Sequence, residues 1–300
     1  MFLSIIIIGH NSGNSLSQCL TSIKNQSYDG KDVEIVYVDD GSKDNSINIF
    51  KSFVCRFKTT LVEHRSNLGR NIARNTGIKR CLGKWCLFVN SNVVLSPNLL
   101  SVYISEIKKN KYNIFTSKIK YTCLDKSFEL YLNQKSRGLN NLQSKQTIPY
   151  YNLLFSNTCI KKTIMEKNNF DIEFTSYGGS ELELSYRLNF NHKFLFLPKI
   201  YVTRFNHPTL KTHIYRIEEF GRKNIFLLFN KLNTSLPKFL FYSKFFSFRV
   251  FILILPFIYV IRKLLLFIYK ILPPANYNLI VKFVLGISLI IGIIKKKHEK

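Results

Sequence analysis

Residues 33–42 read VEIVYVDDGS, a run that is apolar except for Glu34 and that stops at Asp39 and Asp40. Such a run is typical of a parallel strand that is buried on both faces. Residues 4–12 have the same pattern, because SIIII is followed abruptly by GHNS. The two segments predict two buried strands, each of which ends in a polar loop.

A helix is predicted between these strands. Apolar residues recur at helical spacing from Leu16 to Ile23, so the helix is expected to begin at Ser15 and to end near Gln26. Strand, helix and strand then form a right-handed crossover, with both polar loops at one edge of a parallel sheet. Nucleotides bind at that edge in open α/β sheets, and we therefore expect Asp40 to accept hydrogen bonds from a nucleoside.

Three more segments follow in a definite order. Residues 67–78 read NLGRNIARNTGI, which predicts a loop and then a helix. A strand from Trp85 to Val89 ends in residues 90–92, Asn-Ser-Asn. Residues 170–174 read FDIEF, and residues 177–188 read YGGSELELSYRL.

This order of motifs resembles the family 2 glycosyltransferases of the GT-A fold, over roughly residues 1–210. In that family the second strand ends in Val-Asp-Asp-Gly-Ser, and Ala-Arg-Asn-x-Gly precedes a strand that ends in Asp-x-Asp. The resemblance implies an α/β fold with a GT-A, Rossmann-like mixed sheet flanked by helices. It also implies an inverting glycosyltransferase of cell-envelope polysaccharide synthesis, with a nucleotide-sugar donor, expected to be a UDP-sugar, and a glycan or lipid-linked acceptor.

The resemblance also assigns site residues. Where the family has a Glu-Asp pair this chain has Ser180 and Glu181, so Glu181 is the expected catalytic base. Glu183 and His207 are further candidates for the acceptor or phosphate site. The alternatives that stay open are a solvated loop histidine for His207, a helix-surface charge for Arg74 and a salt-bridged structural acid for Glu183. The residues expected to bind the nucleotide sugar are Gly9, Asn11, Asp39, Asp40, Arg74, Asn90 and Asn92.

Asn90 and Asn92 depart from the family pattern at the position where Asp-x-Asp binds Mg²⁺ or Mn²⁺. Hard cations prefer charged oxygen ligands, and an amide oxygen brings no charge to offset dehydration of the ion. We therefore expect no divalent metal cofactor and assign no metal ligands. The alternative is a catalytically inactive relative that binds a nucleotide sugar or scaffolds a glycan assembly complex. Basic side chains could replace the metal at the diphosphate, and the candidates are Arg70, Arg74 and Lys84.

The charge of the chain is unevenly distributed. The formal net charge is +26, and residues 222–297 contain no acidic side chain although Lys and Arg recur among apolar and aromatic residues. That pattern favours a membrane surface over nucleic acid, for which no zinc or RNP motif is present. We predict a GT-A-like domain over residues 1–222 and a hydrophobic, basic, helical membrane-associating region over residues 223–300.

The predicted region contains two apolar runs, Val250–Ile261 and Phe283–Ile294, and each is shorter than the roughly 20 residues that span a bilayer. Three arrangements stay open: re-entrant or in-plane helices, a hairpin that crosses twice, and a buried soluble subdomain. Pro273 and Pro274 predict a turn between the runs. Basic residues at each end favour the cytoplasmic face of the cell membrane. A chain that ends near Asn230 is then expected to be soluble and folded.

Two other classes of protein are disfavoured. Residues 9–13 read GHNSG and lack the Gly-x-Gly-x-x-Gly spacing of dinucleotide-binding dehydrogenases. The six cysteines form no CxxC pair, and we expect them to be reduced. Further strands are predicted at residues 111–121, 150–155 and 200–204, but the middle of the chain does not identify the acceptor.

Overall fold

The computed structural model describes residues 1–233, 248–271 and 277–298. The chain divides into two units by its internal contacts. Unit 1 comprises residues 1–122, 135–173 and 184–207, and unit 2 comprises residues 123–134, 174–183 and 208–300. The division at residue 222 inferred from composition stays a prediction.

The strands belong to one nine-stranded sheet. They are β1 (Leu3–Gly9), β2 (Val33–Asp39), β3 (Lys58–Glu63), β4 (Trp85–Asn90), β5 (Val93–Leu95), β6 (Ile114–Cys123), β7 (Gln146–Ile148), β8 (Asn157–Lys161) and β9 (Phe194–His207). Their order is β3-β2-β1-β4-β8-β6-β9-β5, with β7 paired to β9. Strands β1 to β4 are parallel to one another, whereas β8 runs antiparallel to β4, and β5 and β7 run antiparallel to β9. The mixed sheet predicted from the sequence is confirmed.

The described helices are given in chain order. They are α1 (Gly13–Lys24), α2 (Ser46–Lys51), α3 (Arg70–Arg80), α4 (Leu99–Lys108), α5 (Lys126–Leu132), α6 (Lys162–Lys167), α7 (Ser180–Asn189), α8 (Leu210–Lys223), α9 (Ile225–Lys231), α10 (Phe248–Ile271) and α11 (Tyr277–His298).

Burial of both sheet faces explains why these two runs are mostly apolar. Side chains of a strand alternate between the two faces, so Ile5 joins the core cluster that contains Leu16 of α1, whereas Ile6 joins the cluster that contains Ile78 of α3. Helix α3 approaches the sheet closely because Gly77 has no side chain, and a Cβ atom there would overlap Ile6. The parallel core therefore lies between α1 on one face and α3 on the other.

The prediction of a strand over residues 150–155 is wrong. Residues Tyr150–Asn152 form a 3₁₀ turn after Pro149, and the next strand begins only at Asn157. The aromatic side chains in this segment serve packing instead. Phe155 lies edge-to-face against Phe170, with ring centroids 4.8 Å apart.

In unit 2, helices α8 and α11 pack against each other. Their backbones approach closely at two glycines. A Cβ atom on Gly221 would lie 2.5 Å from the carbonyl oxygen of Leu289, and one on Gly292 would overlap the carbonyl of Glu218. Larger residues at either glycine would therefore separate the two helices.

One helix within the described ranges, Asn278–Lys296, is long and apolar enough to cross a membrane, and 39% of its apolar window is buried. One such helix is weak support for a spanning segment, because buried core helices pass the same test. The turn predicted at Pro273 and Pro274 lies outside the described residues.

Candidate functional site

The polar residues that end β1, β2 and β4 lie side by side at the carboxyl edge of the parallel strands. The register pairs Gly9 with Asp39 and Ile8 with Asn90. The backbone N–H of Asp40 donates to the carbonyl of Gly9 at 2.8 Å, which continues the pairing beyond the strands. The convergence that the sequence predicted at this edge is therefore present.

Four hydrogen bonds tie the loop after β1 to the loop after β2, at donor–acceptor distances of 2.8 to 2.9 Å. They run from Asn11 N to Ser42 Oγ, from Lys43 N to Asn11 Oδ1, from Ser12 N to Ser46 Oγ, and from Gly13 N to Asp44 Oδ2. Asn11 has a φ of 49°, a left-handed conformation that asparagine tolerates better than most residues. Asn11 thus shapes both loops.

Asp39 is fully buried and holds the loop after β2 through hydrogen bonds. Its carboxylate accepts hydrogen bonds from the backbone N–H of Ser42 at 2.8 Å, from Ser42 Oγ at 2.6 Å and from the Tyr37 hydroxyl at 3.0 Å. Burial raises the pKa of Tyr37, so this hydroxyl stays protonated and donates. Asp39 therefore fixes the turn from within the fold.

Asp40 orders a third loop, residues 64–69. Its carboxylate accepts from the backbone N–H groups of Leu68 at 3.0 Å and Gly69 at 2.9 Å, and it lies 2.8 Å from His64 Nδ1. The other ring nitrogen of His64 lies 3.1 Å from Thr76 Oγ1 in α3. Sequence reasoning did not identify His64, which connects Asp40 to the helix that carries Arg74.

A pocket of about 660 Å³ opens beside the loops after β1, β2 and β4. Its walls are rich in amide and hydroxyl groups, which suit a neutral polar ligand such as a sugar or a ribose. The lining includes Asn11, Ser12, Asn45, Ser91, Asn92 and Asn206.

Asp44 is a carboxylate in the pocket wall. Desolvation by itself raises the pKa of Asp44. The hydrogen bonds from Ser46 Oγ and from the backbone N–H of Gly13 outweigh that effect, so the pKa lies below its ordinary value. The charge of Asp44 thus supports the loop at neutral pH.

Asn206 is a pocket residue that sequence reasoning missed. It adopts a φ of 51° near the end of β9. Two hydrogen bonds hold its neighbour Phe205 to Asn92, one from Asn92 Nδ2 to the Phe205 carbonyl and one from Phe205 N to the Asn92 carbonyl, each at 3.1 Å. They bring the amides of Asn92 and Asn206 into one wall.

The residues at the expected metal position do not fit a divalent cation. The Oδ1 atom of Asn90 is buried and has no hydrogen-bond partner among the described residues. The side chain of Asn92 donates to a backbone carbonyl, and neither amide carries a charge that could offset dehydration of the ion. Within residues 1–233 and the two described tail helices, no group of three His, Cys, Asp or Glu side chains could hold a metal.

The basic residues predicted to replace the metal lie in different places. Lys84 directly precedes β4, whereas Asn90 ends it, so the two residues lie at opposite ends of the strand, about 20 Å apart. The prediction that Lys84 contacts the diphosphate is therefore wrong. Arg74 is buried, and its guanidinium lies over the Phe170 ring at 4.9 Å. Arg70 is exposed at the first residue of α3, next to the loop that Asp40 orders.

His207 ends β9 and is buried. Its ring packs edge-to-face against Tyr121, with centroids 5.2 Å apart. His207 does not line the pocket, whereas the preceding residue, Asn206, does. A role for His207 near a phosphate stays a prediction.

Glu181 and Glu183 belong to unit 2 and lie in the first turn of α7. Glu181 is half-buried, whereas Glu183 is buried. The preceding glycines, Gly178 and Gly179, have φ values of 87° and 93°, which other residues rarely adopt. The loop before Glu181 therefore requires both glycines.

Unit 2 supports this glycine loop in two ways. A Cβ atom on Gly178 would lie 2.8 Å from Phe220, and one on Gly179 would lie 2.7 Å from Phe174, so both aromatic rings press on the loop. Asn224 is buried, and its Nδ2 lies 2.9 to 3.3 Å from three consecutive carbonyl oxygens that end at Gly178. Asn224 is a positioning residue that the sequence motifs did not reveal.

The family model described as glycosyl transferase family 2 matches residues 4–167. The chain belongs to this family. It is 33% identical over 122 residues to the poly(ribitol-phosphate) β-glucosyltransferase of Bacillus spizizenii, which is 40% of this chain and 19% of that protein. It is 28% identical over 121 residues to the poly(ribitol-phosphate) β-N-acetylglucosaminyltransferase TarP of Staphylococcus aureus, which is 39% of this chain and 36% of TarP. The matches thus span less than two fifths of these two relatives.

Crystal structures of S. aureus TarS share the fold. The complex of TarS residues 1–349 with UDP has a TM-score of 0.58 at 16% identity and covers 100% of this chain and 91% of that chain. The complex with UDP-GlcNAc has a TM-score of 0.58 at 17% identity and covers 79% of this chain and 68% of that chain. The predicted GT-A, family 2 fold is confirmed.

Proposed function

We propose that this chain transfers a sugar from a UDP-sugar to a glycan or lipid-linked acceptor in the synthesis of a cell-envelope polysaccharide. The observation that carries the proposal is the carboxyl edge of β1, β2 and β4, where polar loops border a pocket of about 660 Å³ lined by amides and hydroxyls. Family membership supports glycosyl transfer. The relatives named as poly(ribitol-phosphate) glycosyltransferases and the TarS complex with UDP-GlcNAc support the donor and acceptor classes.

The proposed reaction is a single inverting displacement. An acceptor hydroxyl attacks the anomeric carbon from the face opposite the nucleotide, and Glu181 accepts the hydroxyl proton as the new C–O bond forms. The bond between the anomeric carbon and the diphosphate oxygen breaks, and UDP leaves with its electron pair. Asp40 contributes to nucleoside binding by holding residues 64–69, and Gly9 and Asn11 shape the facing loop.

We propose that the leaving diphosphate is neutralised by side chains instead of a divalent metal. Lys43, Arg65 and Arg70 are exposed in the loops after β2 and β3 and at the start of α3. Guanidinium and ammonium groups stabilise developing charge on phosphate oxygens through charge-assisted hydrogen bonds. Because salt screens exposed charges, donor binding is expected to weaken as the salt concentration rises. Because no divalent metal takes part, donor binding is expected to survive EDTA.

A second candidate function is donor binding without turnover. The neutral amides of Asn90 and Asn92 favour this alternative, because they remove the charged ligands that the family's metal position otherwise supplies. Such a chain would bind a UDP-sugar and serve a glycan assembly complex as a scaffold.

One experiment separates the two functions. Calorimetric titration of the full chain with a series of UDP-sugars, in EDTA and in Mn²⁺, measures donor affinity, and release of UDP from the bound donor measures turnover. Binding with turnover that Glu181→Gln abolishes supports the enzyme. Binding without turnover for any donor and acceptor supports the scaffold, and no binding of any nucleotide sugar refutes both.

We further propose that the chain works at the cytoplasmic face of the cell membrane, where a lipid-linked acceptor would lie. The basic segment of residues 222–298, which contains no acidic residue, supports this location, because Lys and Arg favour cytoplasmic and anionic surfaces. Co-sedimentation of the full chain with cell membranes tests it, and a monomer that stays in solution without detergent at low and high salt would contradict it.

A further inference from the structure

Helix α10 carries an apolar stripe along its exposed side. The stripe side chains are 50% to 69% exposed and belong to Phe257, Val260, Ile261, Leu264, Phe267 and Ile271. Their separations of one, three or four residues place them on one face, since each residue turns the helix by about 100°. Isolated apolar side chains on a surface are ordinary, but a continuous stripe marks an interaction surface.

The opposite face of α10 is fixed within unit 2. Arg262 Nη1 lies 2.9 Å from Glu218 Oε2 of α8, and the Tyr269 hydroxyl lies 3.3 Å from Asp125 Oδ1. Tyr269 is buried, in contrast to the stripe. The helix therefore has a defined orientation, with one side held by polar contacts and the other open to solvent.

Packing in unit 2 argues against a spanning role for α11. This helix meets the length and hydropathy requirement, but it packs along α8 through Gly221 and Gly292. Helix α8 carries six charged side chains, among them Glu219 and Arg222. Moving α11 into hydrocarbon would either break this packing or carry those charges into the bilayer, and both are costly.

The charges beside the stripe select the partner. Lys263 and Lys270 are exposed on α10, and Lys282 is exposed on α11 between two exposed apolar side chains, Leu279 and Phe283. No acidic residue occurs between Gly221 and His298 to repel an anionic surface. An apolar stripe bordered by lysines is the arrangement that inserts into the boundary between headgroups and acyl chains.

We propose that α10 lies in the plane of an anionic phospholipid bilayer, with its stripe inserted at the level of the glycerol backbone and Lys263 and Lys270 at the headgroups. This deepens the membrane location proposed above by naming the surface and its geometry. It is independent of catalysis, because donor binding and turnover on a soluble acceptor need no bilayer. Failure of one proposal therefore leaves the other measurable.

The test is flotation of the full chain, diluted from detergent, with vesicles of phosphatidylcholine alone or mixed with phosphatidylglycerol. Leu264→Glu and Phe267→Glu are expected to lower the partition coefficient at least about tenfold, because a charge replaces inserted apolar surface. The matched control is Val54→Glu, which makes the same kind of change at an exposed apolar residue of unit 1.

A second arm tests the charges. Lys263→Gln with Lys270→Gln is expected to lower binding about fivefold per lysine on anionic vesicles and to leave binding to neutral vesicles unchanged. The control pair is Lys31→Gln with Lys79→Gln, exposed lysines of unit 1. Two results would overturn the proposal. One is equal, carbonate-resistant binding to both vesicle types, which indicates a spanning tail. The other is a wild-type dimer that the stripe variants convert to monomer while vesicle binding persists, which indicates that a second copy covers the stripe.

Discussion

Replacement of Asp40 by alanine should destabilise unit 1 as well as weaken donor binding. The carboxylate accepts two backbone N–H groups, from Leu68 and Gly69, and contacts His64 Nδ1, all within 3.0 Å. A hydrogen bond to a charged group contributes about 1.5 to 3 kcal/mol. Because the three contacts share one carboxylate they are not additive, and we expect the free energy of unfolding to fall by about 3 to 5 kcal/mol.

Urea unfolding followed by tryptophan fluorescence measures this change. The chain has one tryptophan, Trp85, and it is buried in β4, so its emission reports the sheet of unit 1. Asp29→Ala is the matched control, because Asp29 is exposed. Asp40→Asn should also destabilise, since its amide N–H₂ would face a backbone N–H. An Asp40→Ala protein that unfolds at the wild-type urea concentration, yet has lost donor affinity, would refute the loop-holding role and leave direct nucleoside contact.

Three further outcomes are expected. Glu181→Gln should leave the donor dissociation constant within about twofold of the wild-type value and lower turnover, measured as UDP release, about a hundredfold or more. A loss of donor affinity equal to that of Asp40→Ala would argue against Glu181 as the base. Asn90→Asp combined with Asn92→Asp should make donor binding tighten in Mn²⁺, whereas a wild-type protein whose binding EDTA abolishes and Mn²⁺ restores would contradict side-chain neutralisation. Burial by itself raises the pKa of Glu218. Hydrogen bonds from Lys295 and Arg262 outweigh burial, so the pKa lies below its ordinary value. Its contribution to stability is therefore present above the unfolded-state pKa of about 4.3 and is lost as pH falls through the lower folded-state pKa. Glu218→Gln should destabilise the helices at pH 7, and this difference from wild type should shrink as the pH falls below about 4.3, as measured by circular dichroism.

The central strands could be predicted from sequence because their burial is local information. The run predicted at Ser4–Ile8 is observed as Leu3–Gly9, and the run at Val33–Val38 is observed as Val33–Asp39. The apolar side chains of both runs lie in the core cluster on the α1 face or in the cluster on the α3 face, so the apolar pattern marks the strands. The strand prediction at residues 150–155 failed because aromatic residues are common both in strands and in loops that pack on a core. Here the rings pack on distant side chains, and strand propensity does not distinguish the two cases.

The site was only partly predictable because several of its residues depend on long-range contacts. His64 meets Asp40 across 24 positions, and Asn92 meets Phe205 across 113. The signal for His64 was its place directly after a strand of the same parallel set. Asn206 gave no comparable signal, because its position depends on the pairing of β9 with β5, which no local pattern announces.

The close approach of α8 and α11 means that the C-terminal segment is not an exchangeable module. The composition predicts that a chain ending near Asn230 is soluble and folded. Such a chain would lack α11, the helix that packs on Gly221 of α8, and we therefore expect it to aggregate. Grafting a generic apolar anchor in place of α11 would fail for the same reason, since any residue larger than glycine at position 292 meets the Glu218 carbonyl. Evolution can therefore vary the exposed side of this segment freely, but its inner side must change together with α8.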